Sequence, residues 1–350
     1  MTRLTIRKPD DWHLHLRDGA MLAAVLPFTA RHFGRAIIMP NLVPPVVTTA
    51  EAQAYRARVT AALPLVASGS AFTPLMTCYL TDATDLDDLE HGFRSGVFTA
   101  VKYYPAHATT NSAAGVSDIK VVYPVLERME MIGMPLLMHG EDVDPDIDVF
   151  DRERVFIDRT LLPMLKTFPG LRMVLEHLST AEAVEVVRSA APQQLAGTIT
   201  PHHLMQTRTD MLGAGLRPDL YCMPVIKTER DRTALREAAT SGEACFFLGT
   251  DSAPHEARRK YAHVCSAGVF NAPVAIETYA QVFEEDGALD RLEAFSSLNG
   301  PAHYRLPPNE DTITLERTPW TVPERVEVGA GEGSITPYRA GETIPWRVVA

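Results

Sequence analysis

Short apolar segments alternate with longer amphipathic segments along most of the chain. Between the apolar segments lie stretches of helical length, such as AEAQAYRARVTAAL and ERDRTALREAATSG, and several begin with Ser or Thr in an N-cap position. Eight segments have the composition of buried strands: WHLHLRD, RAIIMPN, PLMTCYL, VFTAVKYYP, MPLLMHG, RMVLEHLS, LAGTITPHHL and CFFLGTDSAPH. Eight alternating units over roughly 250 residues predict an α/β fold, a (β/α)8 TIM barrel. A doubly wound open sheet is the alternative, and the count of eight weighs against it.

The pattern changes after about residue 268, where the sequence becomes helix-rich. The last forty residues combine alternating Thr and Val with many Pro and Gly residues. We expect residues 306–350 to form a C-terminal extension of irregular strands packed on the barrel. No linker composition divides the chain, so we expect residues 1–350 to fold as one domain.

The first predicted strand, within DDWHLHLRDG, combines two kinds of side chain. In an extended strand, successive side chains point to opposite faces. One face would carry the apolar residues Trp12, Leu14 and Leu16. The other would carry His13, His15 and Arg17, which suit a metal ion and an anion.

The overall composition is that of an ordinary globular protein, with 46% hydrophobic and 22% charged residues. The formal net charge of -11 argues against a nucleic-acid-binding protein with a basic surface, so an anionic ligand needs local positive groups. The four cysteines lie far apart, without a CxxC pair, which favours reduced thiols. Without an apolar stretch of about 18 residues or an N-terminal apolar segment, we expect a cytoplasmic protein that does not span a membrane.

Polar side chains recur where the predicted strands end, which in a barrel is the catalytic end. Histidine and carboxylate side chains are typical zinc ligands, and a pair of divalent ions needs an anionic bridge. A lone histidine at a strand end is more often a satisfied polar residue, but the H-x-H spacing and the recurrence of histidines favour a metal site. The residues in these positions are His13, His15, Arg17, Asn41, Lys102, His139, His177, His202, His203, Asp251 and His255.

Some of these residues have more than one interpretation. Lys102 is unexpected in a metal site, because a protonated ammonium group cannot coordinate a cation. His202 and His203 could orient a ligand or the substrate, or they could be satisfied polar residues. The remaining histidines in helical or variable sequence are expected to have surface or packing roles: His32, His91, His263 and His303.

Several motifs in this sequence resemble those of dihydroorotases of the compact, single-domain bacterial type, within the amidohydrolase superfamily. They are HLHLRD, MPNLVPP, VKYYPAHATTNSAAGVSD, MHGE, LEHLS, LGTDSAPH and CSAGVFNAP. They occur in order and at compatible spacings from the first predicted strand to about residue 305, so the resemblance covers most of the chain. It implies a metal-dependent cyclic amidohydrolase.

The resemblance implies two zinc ions per chain. His13, His15 and Asp251 would hold one ion, and His139 and His177 would hold the other. Lys102 would bridge the ions as an N6-carboxylated lysine, formed with carbon dioxide. That modification would resolve the difficulty with Lys102, since it converts a cation into an anionic bidentate ligand.

The implied reaction is the reversible interconversion of N-carbamoyl-L-aspartate and L-dihydroorotate in de novo pyrimidine biosynthesis. Water activated by the ions would attack the ring amide carbonyl, and Asp251 would carry its proton to the leaving nitrogen. The resemblance also implies substrate-binding residues. Arg17, Asn41 and His255 would hold the substrate carboxylate, while Met223 and Ala267 would offer backbone contacts to the ring.

Residues 105–117, PAHATTNSAAGVS, are small, polar and too long for an ordinary strand-to-helix connection. The composition alone leaves a disordered surface loop equally open. The position at the catalytic end and the match to the mobile loop of the family favour a lid, with the hydroxyl groups of Thr109 and Thr110 reaching the substrate. His107 lies in this segment and has no assigned role.

Two other functions are compatible with parts of the pattern. Another cyclic-amide hydrolase, such as a hydantoinase or allantoinase, would be expected to carry a longer segment before the H-x-H strand, whereas twelve residues precede His13 here. Arg17 and Asn41 also suit a carboxylated ring better than a neutral one. An inactive barrel partner of a transcarbamoylase would be expected to have lost metal ligands. The resemblance implies a small-molecule substrate and, by analogy, a homodimer.

Overall fold

The computed structural model describes residues 2–63, 72–331 and 333–349. Within them, eight parallel strands form one sheet in chain order, from β2 to β9. The other strands, β1 and β10–β15, form small antiparallel sheets. The strands are β1 Arg3–Arg7, β2 Asp10–Leu14, β3 Arg35–Ile38, β4 Thr73–Tyr79, β5 Phe98–Tyr103, β6 Leu136–His139, β7 Met173–Glu176, β8 Leu195–Ile199, β9 Phe246–Leu248, β10 Thr312–Glu316, β11 Trp320–Thr321, β12 Val326–Val328, β13 Gly333–Ile335, β14 Thr343–Ile344 and β15 Arg347–Val348.

Helices connect the strands of the parallel sheet. The longest of the described helices, α1 and α2, have 14 residues each, and none of the helices in the described ranges has the length and apolar character needed to cross a membrane. Short 3-10 and π-helical turns extend several of them. The helices are α1 Gly19–His32, α2 Thr49–Ala62, α3 Leu86–Arg94, α4 Tyr123–Ile132, α5 Arg152–Phe156, α6 Leu162–Thr167, α7 Ala181–Ser189, α8 Pro201–Met205, α9 Arg208–Leu212, α10 Glu229–Thr240, α11 Ala257–Lys260, α12 Ala275–Glu285 and α13 Asn299–Tyr304.

The first and last strands of the parallel sheet meet, so the sheet is a nearly closed barrel. The backbone N–H of Asp251, just after β9, donates to the carbonyl of His13 at 2.9 Å. The N–H of His15 donates to the carbonyl of Ser252 at 3.1 Å. The predicted (β/α)8 barrel is therefore confirmed, and each of the eight predicted strands overlaps a strand of the sheet. The open doubly wound alternative is wrong, because its edge strands would stay apart.

Hydroxyl side chains begin several of the barrel helices, as the sequence predicts. Thr48 caps α2 and Thr228 caps α10, each in a reciprocal capping box with an acidic residue three positions later. Thr180 caps α7 by accepting from the N–H of Ala183. Each cap satisfies an N–H group that the helix itself leaves unpaired.

The alternation predicted for the first strand fails at Trp12. Asp11 pairs with Ala36, but the next pair joins Leu14 to Ile38, so β2 uses three residue steps where β3 uses two. This β-bulge puts one extra residue into the strand and changes which face the later side chains occupy. Trp12 accordingly belongs to the apolar cluster inside the barrel, whereas Leu14 and Leu16 pack in the core outside it. The prediction that these three residues share one face is wrong.

A plug of apolar side chains fills the barrel around Trp12. The indole ring stacks on Tyr304, with ring centroids 4.4 Å apart, and meets Phe247 edge-on at 6.2 Å. A Cβ at Gly300 would lie 1.9 Å from the indole Nε1, so this position in α13 has no room for a side chain. The plug consists of Trp12, Ile37, Met39, Ala100, Leu137, Val174, Ala196, Phe247 and Tyr304.

The chain termini form a small sheet beside the barrel, in which β10 lies between β1 and β15 and pairs antiparallel with both. Val328, Ile335 and Trp346 of the C-terminal region are buried in the main hydrophobic core. The predicted irregular C-terminal extension is confirmed. The sequence interpretation did not include β1, and the expectation that the whole chain is one domain stays a prediction.

Candidate active site

A polar pocket lies at the carboxyl ends of the barrel strands and contains most of the predicted site residues. The predicted residues that line it are His13, His15, Arg17, Asn41, Thr109, Thr110, His139, His177, Met223, Asp251 and Ala267. Two predicted residues lie next to the pocket rather than in its lining. Lys102 is fully buried beneath it, and His255 contacts Arg17 and Ala267 at its rim. The fold therefore brings together residues that span most of the chain.

The first group of possible metal ligands comes from the two strands that close the barrel. The Nε2 atoms of His13 and His15 lie 3.3 Å apart, and Asp251 Oδ1 lies 3.3 Å and 3.1 Å from them. All three side chains are buried. Three ligand atoms within one small volume, on neutral nitrogen and anionic oxygen, suit a divalent ion such as zinc.

A second group consists of His13, Glu176 and His177, whose ligand atoms lie within 4.8 Å of one another, and His139 on β6 lies beside it. The ring centroids of His139 and His177 lie 4.9 Å apart, and His177 is 5.1 Å from His13. The buried Nδ1 of His177 has no hydrogen-bond partner among the described residues, as expected of an atom that awaits a ligand. His139 Nε2 contacts the carboxylate of Glu141 at 2.9 Å.

Lys102 and Glu176 form a buried pair below the two histidine groups. The distance from Lys102 Nζ to Glu176 Oε2 is 2.5 Å, and both side chains are fully buried. The same carboxylate oxygen contacts Nδ1 of His13. Burial lowers the pKa of Lys102, although the charge of Glu176 opposes the shift. Burial also opposes ionisation of Glu176, but His13 and Lys102 outweigh it and keep the pKa of that carboxyl below its usual value.

The sequence interpretation missed both Glu176 and Glu141. Glu176 follows Val174 by two residues on β7, so strand alternation directs it into the barrel. Each glutamate stands within a motif that drew attention for its histidine, LEHLS or MHGE. The alternation of β7 was the signal that could have identified Glu176.

Three site residues adopt left-handed backbone conformations. The φ angles are 60° at Arg17, 46° at His177 and 45° at Asp251. Such angles are uncommon in residues with a Cβ and concentrate at functional sites. At His177 the backbone turn allows two consecutive residues, Glu176 and His177, to face the same site.

Burial keeps several of the imidazoles neutral, which is the form that binds metal. Burial, with a contribution from Arg17, lowers the pKa of His15 to about 4. Burial lowers the pKa of His177 well below its ordinary value, and the neighbouring His139 adds to the shift. Burial opposes ionisation of Asp251, but His13 and the hydrogen bond from His15 outweigh it and hold the pKa of Asp251 well below its usual range. The donor set thus fits divalent metal ions.

Arg17 lies beside the histidines without a carboxylate partner. Its Nη1 is 3.3 Å from His15 Nδ1, and its Nη2 is 3.2 Å from His255 Nε2. Burial and Arg17 lower the pKa of His255 to about 2, so this ring is neutral. No carboxylate within the described ranges lies within 4 Å of the guanidinium. A partly buried cation in this situation suits an anionic ligand.

Residues 105–117 lie over the pocket and are held by hydrogen bonds on both sides. Thr110 Oγ1 donates to the carbonyl of Ala267 at 3.2 Å, and Asn41 Nδ2 donates to the carbonyl of Thr110 at 3.1 Å. Asn111 Nδ2 donates back to the carbonyl of Asn41 at 3.0 Å. The loop therefore contacts two segments that also line the pocket.

The remaining histidines do not line the pocket. His202 and His203 lie on the short helix α8 rather than at the end of a strand, and both are buried. His203 uses both ring nitrogens, in contacts to Thr200 Oγ1 and the carbonyl of Pro224. His107, His91 and His263 are exposed, whereas His32 and His303 are largely buried away from the pocket.

Comparisons with known proteins identify the family of the chain. The amidohydrolase family model matches residues 10–315. A dihydroorotase of Sphingopyxis alaskensis is 58% identical over 99% of both chains, and one of Edwardsiella ictaluri is 56% identical over 99% of this chain and 98% of the relative. The crystal structure of Campylobacter jejuni dihydroorotase has a TM-score of 0.89 at 37% identity, covering 99% of this chain and 97% of that one. An Arthrobacter aurescens hydantoinase, with a TM-score of 0.79 at 15% identity over 99% of this chain and 83% of that one, shares the fold.

These similarities extend over nearly the whole chain and include the strands that carry the predicted ligands. Several dihydroorotases show between 56% and 58% identity, far above the 15% of the hydantoinase. The chain belongs to the amidohydrolase family and, within it, to the dihydroorotases.

Proposed function

We propose that the chain catalyses the reversible, zinc-dependent interconversion of N-carbamoyl-L-aspartate and L-dihydroorotate in de novo pyrimidine biosynthesis. Membership of the dihydroorotases supports this reaction. The observation that carries the proposal is the juxtaposition of two different sites in one pocket. The ligand clusters of His13, His15 and Asp251 and of His13, Glu176 and His177 stand beside Arg17, a guanidinium without a carboxylate partner among the described residues.

We propose that the pocket holds two zinc ions per chain, bridged by N6-carboxylated Lys102. His13, His15 and Asp251 would hold one ion, and His139 and His177 the other. When bound, the ions would polarise the ring amide carbonyl and lower the pKa of the attacking water. The complete burial of Lys102 supports its modification, because burial favours the free amine that reacts with carbon dioxide. Carboxylated Lys102 would supply a second anionic ligand, because Asp251 is the only carboxylate among the predicted ligands.

Asp251 would act as the catalytic base and acid. Its low pKa keeps the carboxylate ionised and able to accept a proton from the attacking water. The protonated carboxyl would then donate to the ring nitrogen as the amide bond breaks. Contacts of Oδ1 with His13 and His15 fix the position of this carboxylate.

Arg17, Asn41 and His255 would bind the substrate carboxylate. The guanidinium supplies the positive charge that a protein of net charge -11 otherwise lacks at an anion site. A neutral cyclic amide would leave Arg17 without an anion, which favours a carboxylated ring over a hydantoin or allantoin. An inactive barrel would have no need for the complete ligand set.

The covering loop and two backbone segments would complete the substrate site. Met223 and Ala267 line the pocket and would contact the ring through their backbone groups. Thr109 and Thr110 would reach the substrate from residues 105–117 and exclude bulk water during the attack. The hydrogen bonds from the loop to Asn41 and Ala267 support a closed position of this lid.

A substrate comparison tests the reaction. The zinc-loaded chain should open L-dihydroorotate, followed by its ultraviolet absorbance, and should leave hydantoin and allantoin nearly unchanged. Ring closure consumes one proton, so the equilibrium ratio of dihydroorotate to N-carbamoyl-L-aspartate should rise about tenfold for each pH unit that the pH falls. Preferential opening of hydantoin, or an equilibrium independent of pH between about 6 and 9, would contradict the assignment.

We also propose a single-domain, cytoplasmic protein that assembles as a homodimer and binds no nucleic acid. Four free cysteines without a disulfide support a reducing compartment. The homodimer rests on analogy with compact members of the family. Light scattering coupled to gel filtration would measure the assembly, and a monomer at micromolar concentration would contradict it.

A further inference from the structure

Lys260 is a buried lysine outside the groups discussed above. It is the last residue of α11, and only 4% of its surface is exposed. Its ammonium group donates three hydrogen bonds, to the carbonyls of Tyr221 at 2.9 Å, Ser266 at 3.0 Å and Gly268 at 2.7 Å. An ammonium has three N–H groups, so this side chain is fully satisfied by backbone carbonyls.

The three carbonyls belong to two chain segments that both reach the pocket. Tyr221 lies two residues before Met223, and Ser266 and Gly268 flank Ala267. The N–H of Gly268 also donates to the carbonyl of Tyr221 at 2.9 Å, which adds a direct link between the segments. The hydrogen bonds of Lys260 thus link the two segments that supply backbone groups to the pocket.

The contacts also determine how the peptide groups of Ala267 are directed. The carbonyls on either side of Ala267 face Lys260, whereas its own carbonyl accepts from Thr110 Oγ1 and His255 Nε2. A trans peptide directs its N–H opposite to its carbonyl. Because the Ser266 carbonyl faces Lys260, the N–H of Ala267 faces away from Lys260. That N–H donates to no backbone carbonyl of the described residues.

Close packing holds the same segment from the other side. Gly268 has a φ of 148°, and a Cβ there would lie 2.6 Å from the carbonyl oxygen of Ala253 and 3.0 Å from His255 Cδ2. The Gly268 backbone is therefore packed closely against Ala253 and His255, and the bonds from Lys260 hold the same segment.

We propose that Lys260 is a positioning residue that sets the substrate affinity of the pocket by directing the N–H and carbonyl groups of Ala267. The residue touches neither the substrate nor the predicted metal ligands, and acts through the Ser266–Gly268 and Tyr221–Met223 backbone. This inference rests on the proposed function, because it assigns those backbone groups to the substrate. Loss of Lys260 should therefore weaken substrate binding and leave the metal ions in place.

The test compares Lys260→Met with the parent chain, because methionine is an unbranched side chain only one heavy atom shorter than lysine and removes all three donors. Contacts made equally in the ground and transition states change KM without changing kcat, so KM for L-dihydroorotate should rise about tenfold or more while kcat stays within about threefold. Metal content should equal that of the parent. Arg258→Met is the matched control, since Arg258 lies on the same helix with 77% of its side chain exposed.

Each outcome decides between alternatives. A folded Lys260→Met variant whose KM stays within about twofold of the parent overturns the positioning role, and so does a parallel loss of metal and kcat, which indicates a general structural role. If Lys260→Met does not fold, Lys260→Arg carries the test, because a planar guanidinium cannot aim at the same three carbonyls. A raised KM at parental metal content is expected, and a parental KM would overturn the proposal. A parent chain that does not open dihydroorotate contradicts the proposed function instead.

Discussion

The same strands fill the two ends of the barrel interior with different side chains. On β5, Ala100 belongs to the apolar plug and Lys102, two residues later, lies beneath the pocket. On β6 the corresponding pair is Leu137 and His139. The pair on β7 is Val174 and Glu176. Each of these three strands therefore contributes one apolar and one polar inward position.

The two ends of the barrel interior therefore have different roles: the plug contributes to folding stability, and the polar layer carries the groups for chemistry. The plug consists of hydrophobic side chains, so its main contribution is burial of hydrophobic surface. The polar layer buries ionisable groups that would destabilise a folded protein if they had no partner or ligand. Substitutions in the polar layer should therefore change metal binding and turnover, whereas substitutions in the plug should change folding stability.

The largest effect is expected at the centre of the polar layer. Lys102→Ala removes the predicted bridge between the ions, so metal content should fall and turnover should decrease by a factor of about a thousand or more. Elemental analysis and the ring-opening assay measure both quantities. Lys166→Ala, at an exposed position of α6, is the control. Full metal content with near-parental turnover would rule out the bridging role.

A smaller effect is expected at Arg17, the proposed binding residue for the substrate carboxylate. Removing one partner of a buried charge pair costs about 2 to 5 kcal/mol, so Arg17→Met should lower kcat/KM by a factor of about 30 or more. Metal content should stay parental, which distinguishes this position from Lys102. Arg94→Met replaces an exposed arginine and serves as the control. A decrease of less than about tenfold in kcat/KM would remove Arg17 from the carboxylate site.

Substitutions in the proposed lid, residues 105–117, should change kcat more than they change the metal content. Replacing Thr109 by Ala and Thr110 by Val together should lower kcat about tenfold, since the loop would no longer exclude water with the same hydroxyl contacts. Neither threonine is a predicted ligand, so both ions should remain. Thr318→Val tests the same chemical change at a half-buried position of the C-terminal extension. A double variant with kcat within about twofold of the parent would reduce residues 105–117 to a connection.

The smallest effect on activity is expected in the plug. Leu137→Ala opens a cavity beside Trp12 and should lower the free energy of unfolding by about 2 to 5 kcal/mol. KM and metal content of the folded variant should stay parental, because His139 follows on the same strand but faces the polar layer. Leu216→Ala, at a position that is 68% exposed, is the control. A plug variant that loses metal without losing stability would contradict the different roles assigned to the plug and the polar layer.

The sequence predicted the repeating parts of this structure better than the exceptions. All eight barrel strands follow from short apolar segments, because burial on both faces leaves that signature. The face assigned to Trp12 was wrong because a bulge inserts one residue, and no local pattern marks it. Strand β1 was missed because its partner, β10, lies about 300 residues away in the chain.

The site shows a similar division. Histidines at strand ends were identifiable because parallel strands bring their carboxyl ends together. The sequence predicts His177 rather than Glu176 as the ligand of that strand, and the left-handed turn that lets both face the site is invisible in the sequence. Lys260 gave no signal either, since its partners are backbone carbonyls and carry no residue identity.

A zinc titration of the metal-free chain measures directly whether the reaction depends on a two-ion site. Ring opening of L-dihydroorotate should be absent without metal and should rise to a plateau at about two equivalents of zinc per chain, in the presence of bicarbonate to carboxylate Lys102. A plateau at about one equivalent would contradict the two-ion site. Full activity without metal would contradict the proposal that the polar layer binds the metal ions needed for the reaction.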